Sequence, residues 1–145
     1  MTVRDLLNAK GREFESIDPD TTIKQAMTRI TQKRIGSLLV MQEEELIGII
    51  TERDMFRVIL ERGTEGFNVK VRDVMTVNIV IGILDDAIEE VSALMTNNRF
   101  RHLPIMEGKT VVGIISIGDV VKAQAQNLSI ENRYLKDFII GKYPG

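Results

Sequence analysis

Residues 48–54 read Gly-Ile-Ile-Thr-Glu-Arg-Asp, and residues 113–119 read Gly-Ile-Ile-Ser-Ile-Gly-Asp, 65 residues further on (48 to 113). In each copy a short apolar run, typical of a buried β-strand, ends at a hydroxyl residue, and an aspartate follows three residues later. A hydroxyl residue at that position favours the start of a helix. The sequence therefore predicts two strand-to-helix turns of the same construction.

The repeat continues on both sides of this turn. At the same spacing, and without a gap, Ile23 corresponds to Ile88. The lead-in at residues 3–7 (Val-Arg-Asp-Leu-Leu) returns at residues 71–75 (Val-Arg-Asp-Val-Met). One unit of about 60 residues is only marginally stable alone, because it buries too little apolar surface. We therefore expect an α+β fold in which two β-α-β-β-α units pack against each other with pseudo-two-fold symmetry.

Turn-forming residues and apolar periodicity set the limits of these units. The segment Gly63-Thr64-Glu65-Gly66 favours a break between the halves. We predict a first unit at 1–63, a linker at 64–70, a second unit at 71–127, and a C-terminal amphipathic helix and tail at 128–145. The apolar residues of this last segment recur at helical spacing: Ile130, Tyr134, Leu135, Phe138 and Ile139.

Periodicity also places the elements within each unit. In the first unit the predicted strands are 13–17, 37–41 and 46–50. One helix starts at a capping box of Thr22 and Gln25, and the next follows Thr51 with four apolar residues facing inward: Met55, Phe56, Ile59 and Leu60. In the second unit the predicted strands are 79–81, 102–106 and 111–115. Asp86 is the predicted cap of its first helix, and the second helix runs from Gly118 to residue 126.

The composition is that of an ordinary globular chain. Apolar residues make up 43% and charged residues 28%, and the formal net charge is −2, so electrostatics do not favour nucleic acid or an anionic membrane as a partner. The chain has no cysteine and one histidine, His102, which excludes disulfides, thiolate nucleophiles and zinc–thiolate sites. We expect no metal site and no catalytic cofactor. The first residues contain no apolar signal segment, so we expect a cytoplasmic protein.

Each strand-to-helix turn presents polar groups that suit a ligand. Backbone N–H groups at a helix N-terminus favour anions. Thr51 and Ser116 add a hydroxyl, and Asp54 and Asp119 add carboxylate oxygens that can accept hydrogen bonds from two neighbouring hydroxyls, as on a ribose. The same pattern is close to a capping box, which stabilises a helix by roughly 0.5–2 kcal/mol and binds nothing. The turn alone leaves both interpretations open.

Residues 99–105, Arg-Phe-Arg-His-Leu-Pro-Ile, favour the ligand interpretation. Together with the two turns and the lead-in at 71–75, they resemble the signatures of the cystathionine-β-synthase-type (CBS) domain, and the chain from residue 3 to 126 is similar to a tandem pair, called a Bateman module. The resemblance implies that an adenine nucleotide binds between the units. The aspartate and hydroxyl of one unit would hold the ribose, while the first strand and the basic-Leu-Pro segment of the other would hold base and phosphate.

For the first cleft, the resemblance implies Thr51 and Asp54 at the ribose and Ile79 and Val80 against the adenine. The residues implied near the phosphate are those of the basic-Leu-Pro segment, Arg101, His102 and Pro104.

For the second cleft, the resemblance implies Ser116 and Asp119 at the ribose and Phe14 at the first-strand position. Ser37 follows Gly36 where the other half has its basic pair. The phosphate must then be met by another cation, and the candidates are Arg34, Arg53 and Lys122. We therefore expect the second cleft to bind more weakly than the first.

The sequence thus predicts a non-catalytic regulatory module that binds an adenosine compound, with AMP as the first candidate and ADP, ATP, NAD(H) or S-adenosylmethionine as alternatives. The resemblance also implies a homodimer and a role in energy sensing, and it names no regulated partner. Two other functions stay open. One is a structural dimerisation unit with vestigial clefts. The other is a nucleotide-processing enzyme, for which a chain with one histidine and no cysteine offers few nucleophile–base pairs.

Overall fold

The two predicted hairpins are present, and a helix follows each. The computed structural model describes residues 1–127, so the predicted C-terminal helix at 128–145 lies outside the described residues. The helices are α1 Val3–Lys10, α2 Ile23–Lys33, α3 Glu52–Arg62, α4 Ile88–Asn98 and α5 Ile117–Asn127. The strands are β1 Ser16–Ile17, β2 Ser37–Gln42, β3 Glu45–Thr51, β4 His102–Glu107 and β5 Thr110–Ser116, and two short 3₁₀-helices, Gly63–Asn68 and Val71–Asp73, connect the halves.

The two hairpins match each other closely. β2 pairs antiparallel with β3, and β4 pairs antiparallel with β5. Each hairpin carries one shift of register, directly after Val40 in the first and directly after Ile105 in the second. β1 is shorter than the predicted strand at 13–17, and it pairs parallel with β2. The two units of the predicted α+β repeat therefore match even in the position of the register shift in each hairpin.

The predicted strand at 79–81 is wrong. Residues 79–81 form no bridge, and the isolated bridges nearby involve Thr76 and Gly82, which lie outside the segment. Between them, the N–H of Ile79 donates to the carbonyl of Val77 at 3.0 Å, a tight turn that takes the backbone out of the extended conformation. The β-branched composition indicated a strand, and the local turn overrides it.

Two predictions about helix starts have opposite outcomes. Thr22 and Gln25 form the predicted capping box, because the N–H of Gln25 donates to the Thr22 hydroxyl at 3.2 Å and the N–H of Thr22 donates to Gln25 Oε1 at 3.0 Å. Asp86 does not cap α4, whose cap position is held by Ala87. Asp86 Oδ2 instead accepts the N–H of Ile83 at 2.9 Å. Asp86 therefore closes the loop that precedes the helix.

The buried face of α3 also differs from the predicted one. Phe56 and Leu60 are 61% and 87% exposed, whereas Asp54, Met55 and Val58 are buried. The cap at the start of the helix turns Asp54 toward the protein. Since each residue advances the helix by about 100°, Phe56 and Leu60 then face away from the core.

The lead-in of each repeat packs in the core of the other. Three residues of α1 are buried in the cluster formed by α4, β4 and β5, and Val71 is buried in the core of the first repeat. Backbone hydrogen bonds also link the lead-in of each repeat to the other repeat. The N–H of Val3 donates to the carbonyl of Asp86 at 2.9 Å, and the N–H of Val71 donates to the carbonyl of Thr21 at 2.8 Å. The two units are thus interlocked rather than joined end to end.

Candidate functional site

A cavity of about 500 Å³ lies between the two repeats. Its walls come from the end of α1, the segment 13–15 and the start of β2 on one side, and from β4, β5 and the start of α5 on the other. Cavities of this size hold small organic ligands. The four residues predicted for the second cleft all line it: Phe14, Ser37, Ser116 and Asp119.

The turn between β5 and α5 presents Ser116 and Asp119 to this cavity. The N–H of Asp119 donates to Ser116 Oγ at 3.1 Å, and the N–H of Ser116 donates to Asp119 Oδ2 at 2.8 Å. This reciprocal arrangement is a capping box. It engages only one carboxylate oxygen, and within residues 1–127 no donor is hydrogen-bonded to Asp119 Oδ1. Capping the helix and binding a ligand are therefore compatible.

A cation that the sequence analysis missed also contacts this carboxylate. Lys10 Nζ lies 2.6 Å from Asp119 Oδ2 and donates to the carbonyl of Ile114 at 2.8 Å. Lys10 is the last residue of α1, and the repeated lead-in stops before it. Only the packing of α1 against the opposite repeat brings the lysine to the cavity, so no motif in the sequence signals its position.

These contacts determine the charge of Asp119. Burial acts to raise the pKa of its carboxyl, but the hydrogen bonds from Lys10 and from the N–H of Ser116 outweigh burial, so the pKa lies below the ordinary value of 3.8. Asp119 is therefore ionised at neutral pH, and a carboxylate in this state accepts hydrogen bonds from hydroxyl groups.

His102 lies where the two repeats meet. It faces Ser116 across the β4–β5 hairpin, and a β-carbon at Gly36 would lie 3.3 Å from His102 Nε2. Burial, followed by the positive charge of Arg101, lowers the pKa of His102 below 6.5, so the ring is mainly neutral at neutral pH. The resemblance places His102 in the first cleft, whereas in the structure it lines the cavity of the second.

The first repeat supplies an aromatic wall and a cation. Phe14 is partly buried and packs against the apolar cluster that includes Leu39. Arg34, directly after α2, has a left-handed backbone with φ 56° and lines the cavity, whereas Arg53 and Lys122 do not line it. Arg34 has no hydrogen bond or ion pair through its side chain in the described part of the chain. Its charge is therefore available to a ligand.

The acid of the first cleft is more enclosed than its counterpart. Asp54 is only 6% exposed. Its Oδ2 accepts the N–H of Thr51 at 3.0 Å and the hydroxyl of Thr76 at 3.5 Å, and Arg57 Nη1 lies 3.9 Å from Oδ1. The hydrogen bonds thus fall on Oδ2, and Oδ1 has only the longer contact with Arg57. Thr76 and Arg57 are neighbours that the sequence analysis missed.

The other residues predicted for the first cleft differ in their surroundings. Ile79 packs on an apolar cluster, Val80 is 43% exposed, Arg101 is exposed and Pro104 is buried within β4. A second cavity, of about 350 Å³, lies beside β1 and α2. Neither cavity is lined by Asp54, Ile79 or Arg101.

Comparison with known proteins decides the family. The family model described as CBS domain matches residues 3–61 and 71–126. The chain belongs to the CBS-domain family. The two matched segments correspond to the two interlocked repeats, so the protein is a CBS-domain pair, as the resemblance implied.

Relatives of this CBS-domain pair include proteins most of whose length is covered by the match. The mitochondrial CBS domain-containing protein CBSX3 of Arabidopsis thaliana is 34% identical over 151 residues, which cover 98% of this chain and 73% of that protein. YhcV of Bacillus subtilis is 31% identical over 117 residues, which cover 81% of this chain and 83% of that protein. The CBS-domain containing protein ATU1752 of Agrobacterium tumefaciens superposes with a TM-score of 0.82 at 36% identity, covering 85% of this chain and 92% of that one.

Some relatives are enzymes that share only their CBS domains with this chain. Inosine-5'-monophosphate dehydrogenase of Thermoplasma acidophilum is 33% identical over 114 residues, and these make up 78% of this chain but 22% of the enzyme. The match therefore does not indicate that this chain shares the catalytic part of that enzyme. Within residues 1–127, no helix has the length and apolar character needed to cross a membrane.

Proposed function

We propose that this CBS-domain pair is a regulatory module that reversibly binds an adenosine-containing ligand in the cavity at Asp119, with AMP as the first candidate. One observation carries the proposal: the Ser116–Asp119 turn of one repeat faces Phe14 and Ser37 of the other around a single cavity. The carboxylate of Asp119, which can accept hydrogen bonds from two ribose hydroxyls, thus lies opposite the aromatic ring of Phe14. Those are the two features that recognise a nucleoside.

The chemistry of the cavity fits each part of AMP. Asp119 Oδ1 is the acceptor for the ribose hydroxyls, a charge-assisted contact that contributes ~1.5–3 kcal/mol. Stacking of a base on an aromatic ring such as that of Phe14 contributes roughly 1–3 kcal/mol. Arg34 provides positive charge for the phosphate. Together these contacts supply a large part of the about −8 kcal/mol that a micromolar affinity requires.

Proteins of the same fold bind ligands of this class. CBSX2 has been crystallised with AMP and superposes on this chain with a TM-score of 0.72 at 23% identity. The CBS domain pair of MJ0100 has been crystallised with 5'-methylthioadenosine and S-adenosyl-L-methionine, with a TM-score of 0.72 at 21% identity. At these identities the likeness is one of fold. It supports an adenosyl ligand and leaves ADP, ATP, NAD(H) and S-adenosylmethionine as alternatives to AMP.

The proposal reverses the order of the two clefts that the sequence predicts. Asp54 is almost fully buried and lines neither described cavity, whereas Asp119 lines a cavity of about 500 Å³, and within residues 1–127 no donor is hydrogen-bonded to its Oδ1. The higher rank of the first cleft rested on Arg101, His102 and Pro104. Arg101 is exposed and lies outside this cavity, and His102 lines the cavity of the second cleft. The geometry therefore favours binding at Asp119.

We infer that the module acts by binding alone and that a partner protein reads its occupancy. The ligand can shift such a partner only by its differential affinity for the two states of the module. A homodimer, a cytoplasmic location and a role in energy sensing stay predictions. The relative from Arabidopsis thaliana is named as mitochondrial, so the compartment needs its own measurement, for which localisation of a tagged chain is suited.

Thermal denaturation with added ligands tests the proposal against the structural alternative. Ligand at about 100 times its dissociation constant should add about 2.7 kcal/mol to the free energy of unfolding. AMP and the other adenosyl compounds are compared with guanosine monophosphate, which has the same ribose and phosphate. Absence of stabilisation by every adenosyl compound would favour a purely structural unit. Mass spectrometry shows whether AMP is converted to another compound. Such conversion would instead favour the enzyme alternative.

A further inference from the structure

Lys10 brings a second charge to the carboxylate that faces the cavity. Its amine lies 2.6 Å from Asp119 Oδ2 and donates to the carbonyl of Ile114 at 2.8 Å. An ammonium group has three donors, and within the described residues these two acceptors are its only hydrogen-bond partners. One donor therefore stays available, and the side chain is 32% exposed and lines the cavity.

We propose that Lys10 is a specificity-determining residue of this cleft, which makes it select adenosine compounds that carry an anionic group over uncharged nucleosides. This inference rests on the proposed function and deepens it, because it names the charge of the ligand. It assigns a role to a residue that lies outside both strand-to-helix motifs.

The selection follows from the charges around Asp119. An unpaired carboxylate in this position attracts a diol but repels a phosphate nearby, since like charges in a partly buried site destabilise each other. The Lys10–Asp119 pair is neutral as a unit. The carboxylate can then serve the ribose through Oδ1 while the free donor of the ammonium group serves the phosphate.

The other charges of the cavity do not replace Lys10. Glu15 is paired with Arg29 at 3.2 Å and with Lys33 at 3.7 Å. Arg34 is the other cation proposed for the phosphate, but the negative charge of Glu13 in the same lining offsets it. Without Lys10, the lining would carry an excess of carboxylate. An anionic ligand would therefore lose its direct contact with Lys10 and would also be repelled by the excess negative charge of the lining.

The position of Lys10 is fixed by its helix. α1 is held in the opposite repeat by the buried residues Val3, Leu6 and Leu7, and the side chain of Lys10 is held by its hydrogen bonds to Asp119 and to the carbonyl of Ile114. A lysine in the last turn of a helix is also favoured by the negative end of the helix dipole. The amine is therefore held beside the acid before any ligand arrives.

Isothermal titration with AMP and with adenosine tests this assignment. Lys10→Met keeps an unbranched chain and removes the charge, and we expect it to weaken AMP binding by about tenfold while adenosine binding changes by less than about twofold. Lys10→Arg should retain the preference for AMP. Lys109→Met, which removes the same charge from the β4–β5 turn outside the cavity, should change neither affinity.

The outcomes separate this inference from the proposed function. If Lys10→Met changes the affinities for AMP and adenosine by the same factor, the specificity role is overturned while nucleotide binding stands. The same holds if Lys109→Met lowers AMP affinity as much as Lys10→Met does. If the unsubstituted protein binds neither these two compounds nor any other adenosyl compound, the proposed function fails, and the role of Lys10 fails with it.

Discussion

Leu7 packs directly against Gly113 of the opposite repeat, so closely that a β-carbon at Gly113 would lie 3.0 Å from Leu7 Cδ2. The equivalent contact joins Met75 to Gly48, where an added β-carbon would lie 2.5 Å from Met75 Sδ and 3.1 Å from the carbonyl oxygen of Thr76. The glycine of each repeated turn thus leaves room for the lead-in of the other repeat. The same two segments that mark the duplication in the sequence hold the two units together.

Gly113→Ala should lower the free energy of unfolding by about 1–3 kcal/mol, because the added methyl group overpacks a core in which Leu7 is fully buried. Urea denaturation measures the change. Gly118→Ala is the matched control, since the nearest atom to a β-carbon there is Ser116 Oγ at 3.6 Å and the residue lies in α5. It should leave stability unchanged or raise it through helix propensity. Equal losses from both substitutions would contradict the contact.

On α3, Val58→Ala should cost about 2 kcal/mol, because Val58 is 5% exposed and its removal leaves a cavity in the core. Leu60→Ala should change stability by less than about 0.5 kcal/mol, because Leu60 is 87% exposed. Denaturation of both variants at several protein concentrations provides the comparison. A large, concentration-dependent loss for Leu60→Ala would mean that a second copy of the chain covers this face.

His102 should titrate below 6.5 in the folded protein, because burial and then Arg101 lower its pKa. It is the sole histidine of the chain, so a single imidazole signal reports this pKa by nuclear magnetic resonance. Arg101→Gln should raise the pKa while leaving it below 6.5, since burial is the larger cause. Arg99→Gln should leave it unchanged. A value at or above 6.5 in the unsubstituted protein would contradict the packing of the ring.

The same shift predicts a change of stability with pH. Below 6.5 the unfolded chain takes up a proton on His102 more readily than the folded chain does, so the free energy of unfolding falls as the pH falls through this range. His102→Gln should lack this part of the dependence. Urea denaturation from about pH 7.5 to about pH 5 compares the two proteins. Parallel curves would mean that His102 does not contribute.

The sequence was sufficient for the features that local patterns control. An ungapped repeat, short apolar runs and the Thr22–Gln25 capping box predicted both hairpins and the helices α2 to α5, but not that the lead-in at residues 3–7 is a helix. The four residues predicted for the second cleft line one cavity. The predictions of hairpins, helices and cap were confirmed because each strand-to-helix turn is built by neighbours in the chain. The hydrogen bonds of Ser116 and Asp119, for example, span three residues.

Features that depend on packing between the repeats were not predictable in this way. The exchange of the lead-ins brings Lys10 to Asp119 across 109 residues of sequence, and no local pattern marks such a contact. The rotation of α3 depends on a buried cap that turns Phe56 outward. The tight turn at Ile79 removes a strand that β-branched residues favour. In each case tertiary or turn geometry overrides local propensity.

The measurement that tests the account most directly is calorimetric titration of AMP into Asp119→Ala and Asp54→Ala. The two substitutions are matched, because each removes the acid of a capping box at the start of an equivalent helix. We predict that Asp119→Ala weakens AMP binding by at least about tenfold, whereas Asp54→Ala changes it by less than about threefold. A loss for Asp54→Ala equal to or greater than that for Asp119→Ala would contradict binding in the cavity at Asp119.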